Sequence, residues 1–169
     1  ILNSDDFYTS DDVLERIVET FKGVPLLEAV YGDVHYVKPN NLNRPVRYYS
    51  SRWFRPRYMR MCFMPAHPSF YCLKELYATY GLYRLDYSIA ADFDQLFRLL
   101  FVHRIRALYI HKDIVTMRTG GASNSGLKSH IQIVRDHAKA IRSYGYQVSY
   151  TLFSFRYIYK TFEVVCGRI

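Results

Sequence analysis

The sequence predicts a mixed α/β domain with helices packed on a sheet, and three observations indicate this. Apolar residues recur at helical spacing in residues 13–21 and again in residues 127–141. Short runs rich in Val, Ile and Tyr, typical of strands, occupy residues 29–37 and 106–117. Half of the 169 residues are hydrophobic and only 22% are charged, which excludes a disordered chain.

The first predicted helix has recognisable ends. Ser10 can cap it, and Asp11 and Asp12 fall in its first turn, where carboxylates favour the positive end of a helix. Gly23, followed by Pro25, ends it.

Strand signals and breaks alternate in the middle of the chain. Two short strands, 29–31 and 34–37, are predicted on either side of a Gly-Asp pair. Residues 39–60 form a polar connection that contains Pro and Arg and has no clear period. A short helix over 73–80, closed by Gly81, is predicted next.

The C-terminal half carries two further predicted helices and most of the positive charge. One helix begins at or just after Asp92, and a stripe at 4-3-4-3 spacing predicts another over 127–141, with its apolar side packed on protein. Residues 148–165 are apolar or aromatic nearly all round, so they must be covered by protein or lipid.

Residues 97–169 hold 12 Lys and Arg against 3 acids, a net +9, whereas residues 1–96 carry −1. This asymmetry indicates an anionic partner or a solvated basic face.

Several functional classes find no support. Three cysteines without CxxC spacing argue against a disulfide framework and a structural zinc site. No GxGxxG, P-loop, GxSxG or HExxH pattern occurs. No stretch approaches the roughly 20 apolar residues that a membrane-spanning helix needs.

Three short constellations can carry chemistry. Asp5 and Asp6 lie just before a predicted helix, where they are either a helix cap or hard oxygen ligands for Mg²⁺ or Mn²⁺. Asp92 opens an apolar helix, where a carboxylate is either a dipole-compensating residue or a general base. Arg118 precedes Gly120-Gly121, which is either a plain turn or a phosphate-binding turn.

Together, and in this order, these segments resemble family 2 glycosyltransferases. Residues 1–6, Ile-Leu-Asn-Ser-Asp-Asp, resemble the Leu-Asp-x-Asp-Asp segment of that family, and residues 64–70, Met-Pro-Ala-His-Pro-Ser-Phe, resemble its acceptor-side stretch. Residues 91–94, Ala-Asp-Phe-Asp, resemble its Glu-Asp-(aromatic)-Asp helix start. Residues 117–123, Met-Arg-Thr-Gly-Gly-Ala-Ser, resemble its closing loop. The resemblance covers about residues 1–125.

The resemblance implies a GT-A fold, in which helices flank a mixed sheet. It places the C-terminal part of that catalytic domain in residues 1–125 and a helical, basic-aromatic extension in residues 126–169. The implied reaction is an inverting, metal-assisted transfer of a sugar from a nucleotide-diphosphate donor, such as a UDP-sugar. A glycan or lipid-linked acceptor of a bacterial surface polysaccharide would receive the sugar. The nucleotide-binding units of the fold would precede Ile1, so we interpret the chain as a fragment and expect it to be inactive alone.

On the donor side, the resemblance assigns five residues. Asp5 would be a ligand of Mn²⁺ or Mg²⁺, and Asp6 would support the metal or the donor ribose. Arg118, Gly120 and Gly121 would bind the donor.

On the acceptor side, Asp92 would be the catalytic base that takes the proton of the acceptor hydroxyl. His67 and Asp94 would bind the acceptor, although a packed or capping role and metal ligation both stay open for His67. We expect a single cleft to contain Asp5, Asp6 and Asp92, since all three must serve one diphosphate-sugar.

Two departures from the family pattern support an alternative. Asn3 replaces the first acid of the metal motif, and Ala91 replaces the Glu before the base, which fits a degenerate structural partner of an active transferase.

Arginines and aromatic residues interleave in residues 44–60, as in grooves for single-stranded nucleic acid. We expect this stretch to be a flexible loop whose rings stack on acceptor sugars, with a non-catalytic nucleic-acid or anionic-lipid binding module as the alternative.

The C-terminal residues predict a location. Basic residues beside aromatic ones in 146–169 favour an anionic membrane surface. We expect a cytoplasmic protein that attaches reversibly to the inner face of the membrane through this segment, or that forms a homodimer through it.

Overall fold

A computed structural model of the protein describes residues 2–120 and 127–155. By packing, the chain divides into two compact units. The first comprises Ile1–Phe54, Pro65–Thr79 and Ile105–Thr119, and the second comprises Arg55–Met64, Tyr80–Arg104 and Gly120–Ile169. Each unit is made of three segments that are not consecutive in the chain. The predicted domain boundary near residue 125 stays a prediction.

The described residues form five strands and four complete α-helices, besides the helical residues 150–155. In chain order these are β1 (Phe7–Tyr8), α1 (Val13–Gly23), β2 (Ala29–Lys38), β3 (Asn41–Tyr49), β4 (Phe70–Cys72), α2 (Glu75–Tyr80), α3 (Ala91–Leu96), β5 (Ala107–Arg118) and α4 (Leu127–Ser143). Short 3₁₀ turns occupy Pro56–Met61 and His67–Ser69, and a π-helical turn, Phe97–Val102, continues α3.

The strands form one mixed open sheet in the first unit. Its order is β1-β5-β2-β3, and β4 pairs with the beginning of β2. The central pair, β2 and β5, is parallel, and the other pairs are antiparallel. The predicted α/β class, a mixed sheet with helices, is confirmed.

Helix α1 covers one face of this sheet. Val13 and Ile17 are buried in a core that also contains Val30, Val34 and Ile114. Burial of such side chains contributes about 1.5–3 kcal/mol each, so this stripe fixes the helix on the sheet.

The predicted side-chain cap of α1 is wrong. Asp12 occupies the N-cap position without a side-chain cap bond. The Ser10 hydroxyl instead donates to Asp12 Oδ1 at 2.5 Å. Lys112 Nζ also binds Asp12, at 3.0 Å, so the residue connects α1 to β5.

The predicted break around Gly32 is also wrong, because β2 runs without interruption over Ala29–Lys38. A Cβ on Gly32 would lie 2.4 Å from Ile114 Cδ1 and 2.5 Å from the Lys112 carbonyl oxygen. Gly32 therefore permits β5 to approach β2 closely, and the pairing register shifts at this point.

The stretch predicted as a flexible loop contains strand β3. It pairs with β2 over Asn41–Tyr49, and Pro45 is tolerated because β3 is an edge strand whose outer side needs no partner. The aromatic and basic residues predicted to interleave do contact one another. Arg47 lies 6.0 Å from the Tyr49 ring centroid, and Arg52 lies 5.2 Å from that of the exposed Trp53.

The second unit is built on aromatic packing between helices. Phe93 and Phe97, on successive turns of α3 and its π-helical continuation, are fully buried with ring centroids 5.6 Å apart. Helix α4 packs on α3 and buries Ala140 and Ile141. The predicted helix over 127–141 is confirmed, but Ile131, predicted in its buried stripe, is 47% exposed.

The predicted C-terminal segment is described only in part. Residues 150–155 are helical, and 156–169 lie outside the described residues. Among residues 2–120 and 127–155, every helix is too short or too polar to cross a bilayer.

Candidate functional site

Asp5 and Asp6 lie in a turn that leads into β1. Because β1 runs antiparallel to β5, with Phe7 opposite Thr116, this turn lies beside the last residues of β5. In the parallel pair, the same end of β5 adjoins the end of β2, where Val37 is opposite Arg118. The acid pair therefore lies at the carboxyl ends of the two central parallel strands, the edge where open α/β sheets bind ligands.

The two acids differ in environment. Asp5 is exposed, whereas Asp6 is buried and accepts a hydrogen bond from Asn3 Nδ2 at 2.8 Å. Burial raises the pKa of Asp6, and the neighbouring Asp5 carboxylate raises it further. The Asn3 amide, the Arg118 backbone amide and the His67 ring act in the opposite direction. Asp6 is thus a positioned acid beside a solvent-facing one.

His67 and Arg118 reach this acid pair from distant parts of the chain. His67 opens the 3₁₀ turn before β4, and Ser69 Oγ anchors that turn by donating to the Gly32 carbonyl at 2.8 Å. Arg118 ends β5, and its guanidinium lies 5.9 Å from the Phe7 ring centroid. Four of the predicted site residues, Asp5, Asp6, His67 and Arg118, therefore lie at one edge of the first unit.

The glycine turn after Arg118 is described only at its start. Gly120 has φ = +117°, a conformation that favours glycine, and a Cβ there would meet nothing within 4 Å. Gly121 lies outside the described residues. Donor binding by these glycines stays a prediction.

Two carboxylates are available for the predicted Mn²⁺ or Mg²⁺. Among residues 2–120 and 127–155, no three His, Cys, Asp or Glu side chains converge as a complete protein metal site would require. A Mg²⁺ ion that also binds substrate phosphates needs only one or two protein carboxylates. The exposed Asp5 beside Asp6 fits that second type of site.

Asp92 and Asp94 belong to the second unit, in the first turn of α3. Asp92 is half-buried, and its Oδ1 accepts the Phe93 backbone amide at 2.8 Å. This bond orients the carboxylate at the positive end of the helix. The single cleft predicted for Asp92 with Asp5 and Asp6 stays a prediction, as does its role as a base.

Asp94 has no exposed surface. Its Oδ1 accepts the Tyr87 hydroxyl at 2.9 Å, the Tyr144 hydroxyl lies 3.3 Å from both carboxylate oxygens, and Arg84 Nη1 is 4.0 Å away. Burial, with the Asp94 charge, raises the pKa of both tyrosines. Acceptor binding by Asp94 stays a prediction, and it would require these tyrosines to move.

A buried polar cluster in the first unit was not predicted. Asp33 accepts the hydroxyls of Tyr48 at 2.8 Å and Tyr109 at 2.6 Å, and the Ser51 backbone amide at 2.6 Å. Burial, with this bond to Asp33, raises the pKa of Tyr109 to about 12. The available signal was an acid inside an apolar strand run, which sequence reasoning interpreted as a break.

A second part of the cluster joins β2 to β5 through His35. Its Nδ1 binds Asp113 Oδ2, and its Nε2 lies 2.9 Å from Thr116 Oγ1. Burial raises the pKa of Asp113, and its other oxygen, Oδ1, is buried without a hydrogen-bond partner among the described residues. Thr116 is only 2% exposed, and the contacts of His35 with Asp113 and Thr116 connect β2 to β5.

No protein-family model matches the chain, and a search of the curated proteins finds no relative.

Proposed function

We propose that the protein is a family 2-type glycosyltransferase with a GT-A fold that moves a sugar from a nucleotide-diphosphate donor to a glycan or lipid-linked acceptor. One observation carries the proposal. Asp5, Asp6, His67 and Arg118, singled out from three separate motifs in the sequence, come together at the carboxyl ends of β2 and β5.

The chemistry of this edge suits a diphosphate. Arg118 contributes a guanidinium that pairs with phosphate oxygens, and Gly120 would contribute a backbone amide. Asp5 would hold Mn²⁺ or Mg²⁺, and a bound ion of this kind supplies charge neutralisation at a diphosphate. Asp6, held by Asn3 and Arg118, fixes the turn that presents Asp5.

The acceptor chemistry rests on Asp92. A carboxylate oriented at the start of α3 accepts the proton of an acceptor hydroxyl as that oxygen attacks the anomeric carbon. The attack displaces the nucleoside diphosphate with inversion, because the new bond forms opposite the one that breaks. His67 would line the acceptor side, in keeping with its half-buried position.

Nucleotide binding by the full-length protein tests the donor half of the proposal. In calorimetry with UDP and Mn²⁺, Asp5→Asn should weaken Mn²⁺-dependent binding by about tenfold or more, since it removes an anionic ligand of a hard cation. The matched control is Asp11→Asn, an exposed acid before α1, which should leave the affinity unchanged. Equal Mn²⁺ dependence in the wild type and in Asp5→Asn would remove Asp5 from the metal site.

A further inference from the structure

The solvent face of α4 carries a row of cations. Lys128, Ile131, Arg135, Lys139 and Arg142 are all exposed, and their spacing of 3, 4, 4 and 3 residues places them on one side of the helix. At about 1.5 Å per residue the row is roughly 21 Å long. Four positive charges and one aliphatic side chain thus form a straight surface.

Acids do not neutralise this row from within its own helix. Asp136 is the single acid in residues 127–155, and it is buried. Its carboxylate accepts the backbone amides of Ile89 at 2.8 Å and Ala90 at 3.2 Å. Lys139 pairs with the exposed Asp86 at 2.7 Å, which leaves a net charge of +3 on the row.

Aromatic side chains extend the row beyond the end of α4. Arg142 Nη2 donates to the Tyr150 hydroxyl at 3.2 Å, and its guanidinium lies 6.0 Å from that ring centroid. Both residues line an open groove of about 510 Å³ on this surface. Its other lining residues are Arg135, Ala138, Lys139 and Ser143. Tyr150 is 56% exposed and Phe155 is 52% exposed.

We infer that this face of α4 docks on the surface of an anionic lipid bilayer. Lipid phosphates complement the row of cations, and polybasic surfaces of this kind bind anionic membranes. Ile131 and Tyr150 supply the apolar and amphipathic groups that enter the interface between headgroups and acyl chains. A nucleic-acid backbone matches the charges as well, but it offers no apolar layer for the aliphatic side chain.

This inference does not depend on the proposed transferase activity. It concerns residues 128–155, whereas the donor chemistry was assigned to residues of the first unit and the general base to α3. A protein that failed every donor-binding assay would still be expected to bind anionic vesicles through α4.

Vesicle co-sedimentation of the full-length protein tests the inference. The probes are vesicles of phosphatidylcholine alone and of phosphatidylcholine with 30% phosphatidylglycerol, at low and high salt. The wild type should bind the anionic vesicles only, and binding should fall as salt rises. Replacing Lys128, Arg135, Lys139 and Arg142 together by Gln should lower the partition coefficient more than a hundredfold, since each basic residue near the surface contributes about fivefold.

Two further variants keep the test decisive. Lys128→Gln with Arg135→Gln leaves the Lys139–Asp86 pair and the Arg142–Tyr150 bond intact, and it should still cost about twentyfold or more. The matched control replaces four exposed cations elsewhere, Lys22, Lys38, Arg44 and Lys74, by Gln, and it should lose less than tenfold.

Three outcomes would overturn the inference. The first is absence of wild-type binding to anionic vesicles at low salt. The second is an equal loss in the control and in the quadruple variant of α4. The third is that the wild type binds a 20-nucleotide RNA but no vesicles, and that the quadruple variant of α4 loses the RNA binding. This result would assign the face to nucleic acid.

Discussion

Gly32 occupies a position in β2 with no room for a side chain. In Gly32→Ala the new Cβ would meet the Lys112 carbonyl oxygen at 2.5 Å and Ile114 Cδ1 at 2.4 Å, so the two central strands must separate. We expect a loss of about 3 kcal/mol in the free energy of unfolding, measured by chemical denaturation. Gly23→Ala is the matched control, because a Cβ there meets nothing within 4 Å in helix α1, and it should stabilise by about 0.5 kcal/mol. Equal effects of the two substitutions would contradict the close approach.

Asp113 gives the stability of the protein a pH dependence of defined sign. Burial raises its pKa in the folded state above the ordinary value of 3.8, so the folded protein binds this proton more tightly than the unfolded chain does. The associated stability is fully present below pH 3.8 and is lost as pH rises through the raised pKa. The free energy of unfolding can be measured by chemical denaturation at a series of pH values. The value for the wild type minus the value for Asp113→Asn should fall as pH increases from 3.8. A difference that grows with pH would show that the His35 contact outweighs burial.

Single residues also show which features are visible in a sequence and which are not. Asp5 and Asp6 were singled out from a local motif, because two adjacent acids are visible without any knowledge of the fold. Asp33 was not, because its partners Tyr48 and Tyr109 lie 15 and 76 residues away. A buried acid of this kind is recognisable only once the strands that carry its partners are paired.

Among the structural elements, the segment that leads into α3 is held by α4. Asp136 accepts the amides of Ile89 and Ala90 just before α3, and the N-cap residue Ala90 makes no side-chain cap bond. Asp136→Ala should leave both amides without an acceptor and cost about 2–4 kcal/mol in the free energy of unfolding, measured by chemical denaturation. The control Asp86→Ala removes only exposed ion pairs and should cost less than about 1 kcal/mol. If Asp136→Ala lost less than about 1 kcal/mol in the free energy of unfolding, water would be replacing the carboxylate as the acceptor of the two amides.

Elements with a strong helical period were predictable, and strands defined by their partners were not. Both α1 and α4 have one face that is buried and one that is exposed, so their periodicity is present in the sequence itself. Strand β3 is mostly exposed and contains Pro45, so it has neither the alternation nor the composition of a strand. It exists because β2 offers it an open edge, which is a tertiary effect.

In the whole molecule, the candidate donor site is assembled by the sheet. The turn before β1, the 3₁₀ turn before β4 and the end of β5 come together because β2 and β5 are parallel and β1 and β4 pair antiparallel to them. The resemblance to a family pattern rests on the order of these motifs along the sequence, and that order contains no distances. The GT-A fold and the sugar-transfer activity remain our proposal.

The rate of sugar transfer with and without the proposed base tests this proposal most directly. Radiolabelled UDP-sugars and the lipid fraction of the cells that make the protein serve as donor and acceptor for the full-length wild type, Asp92→Asn and the control Asp86→Asn. We expect Asp92→Asn to lower the rate ~10²–10⁴-fold with the donor Kd within about twofold of wild type, because a general base acts in the chemical step. The control should transfer at the wild-type rate. Transfer by Asp92→Asn at a rate near that of the wild type would contradict the role of Asp92, and the absence of transfer by the wild type with every donor would contradict the proposed function.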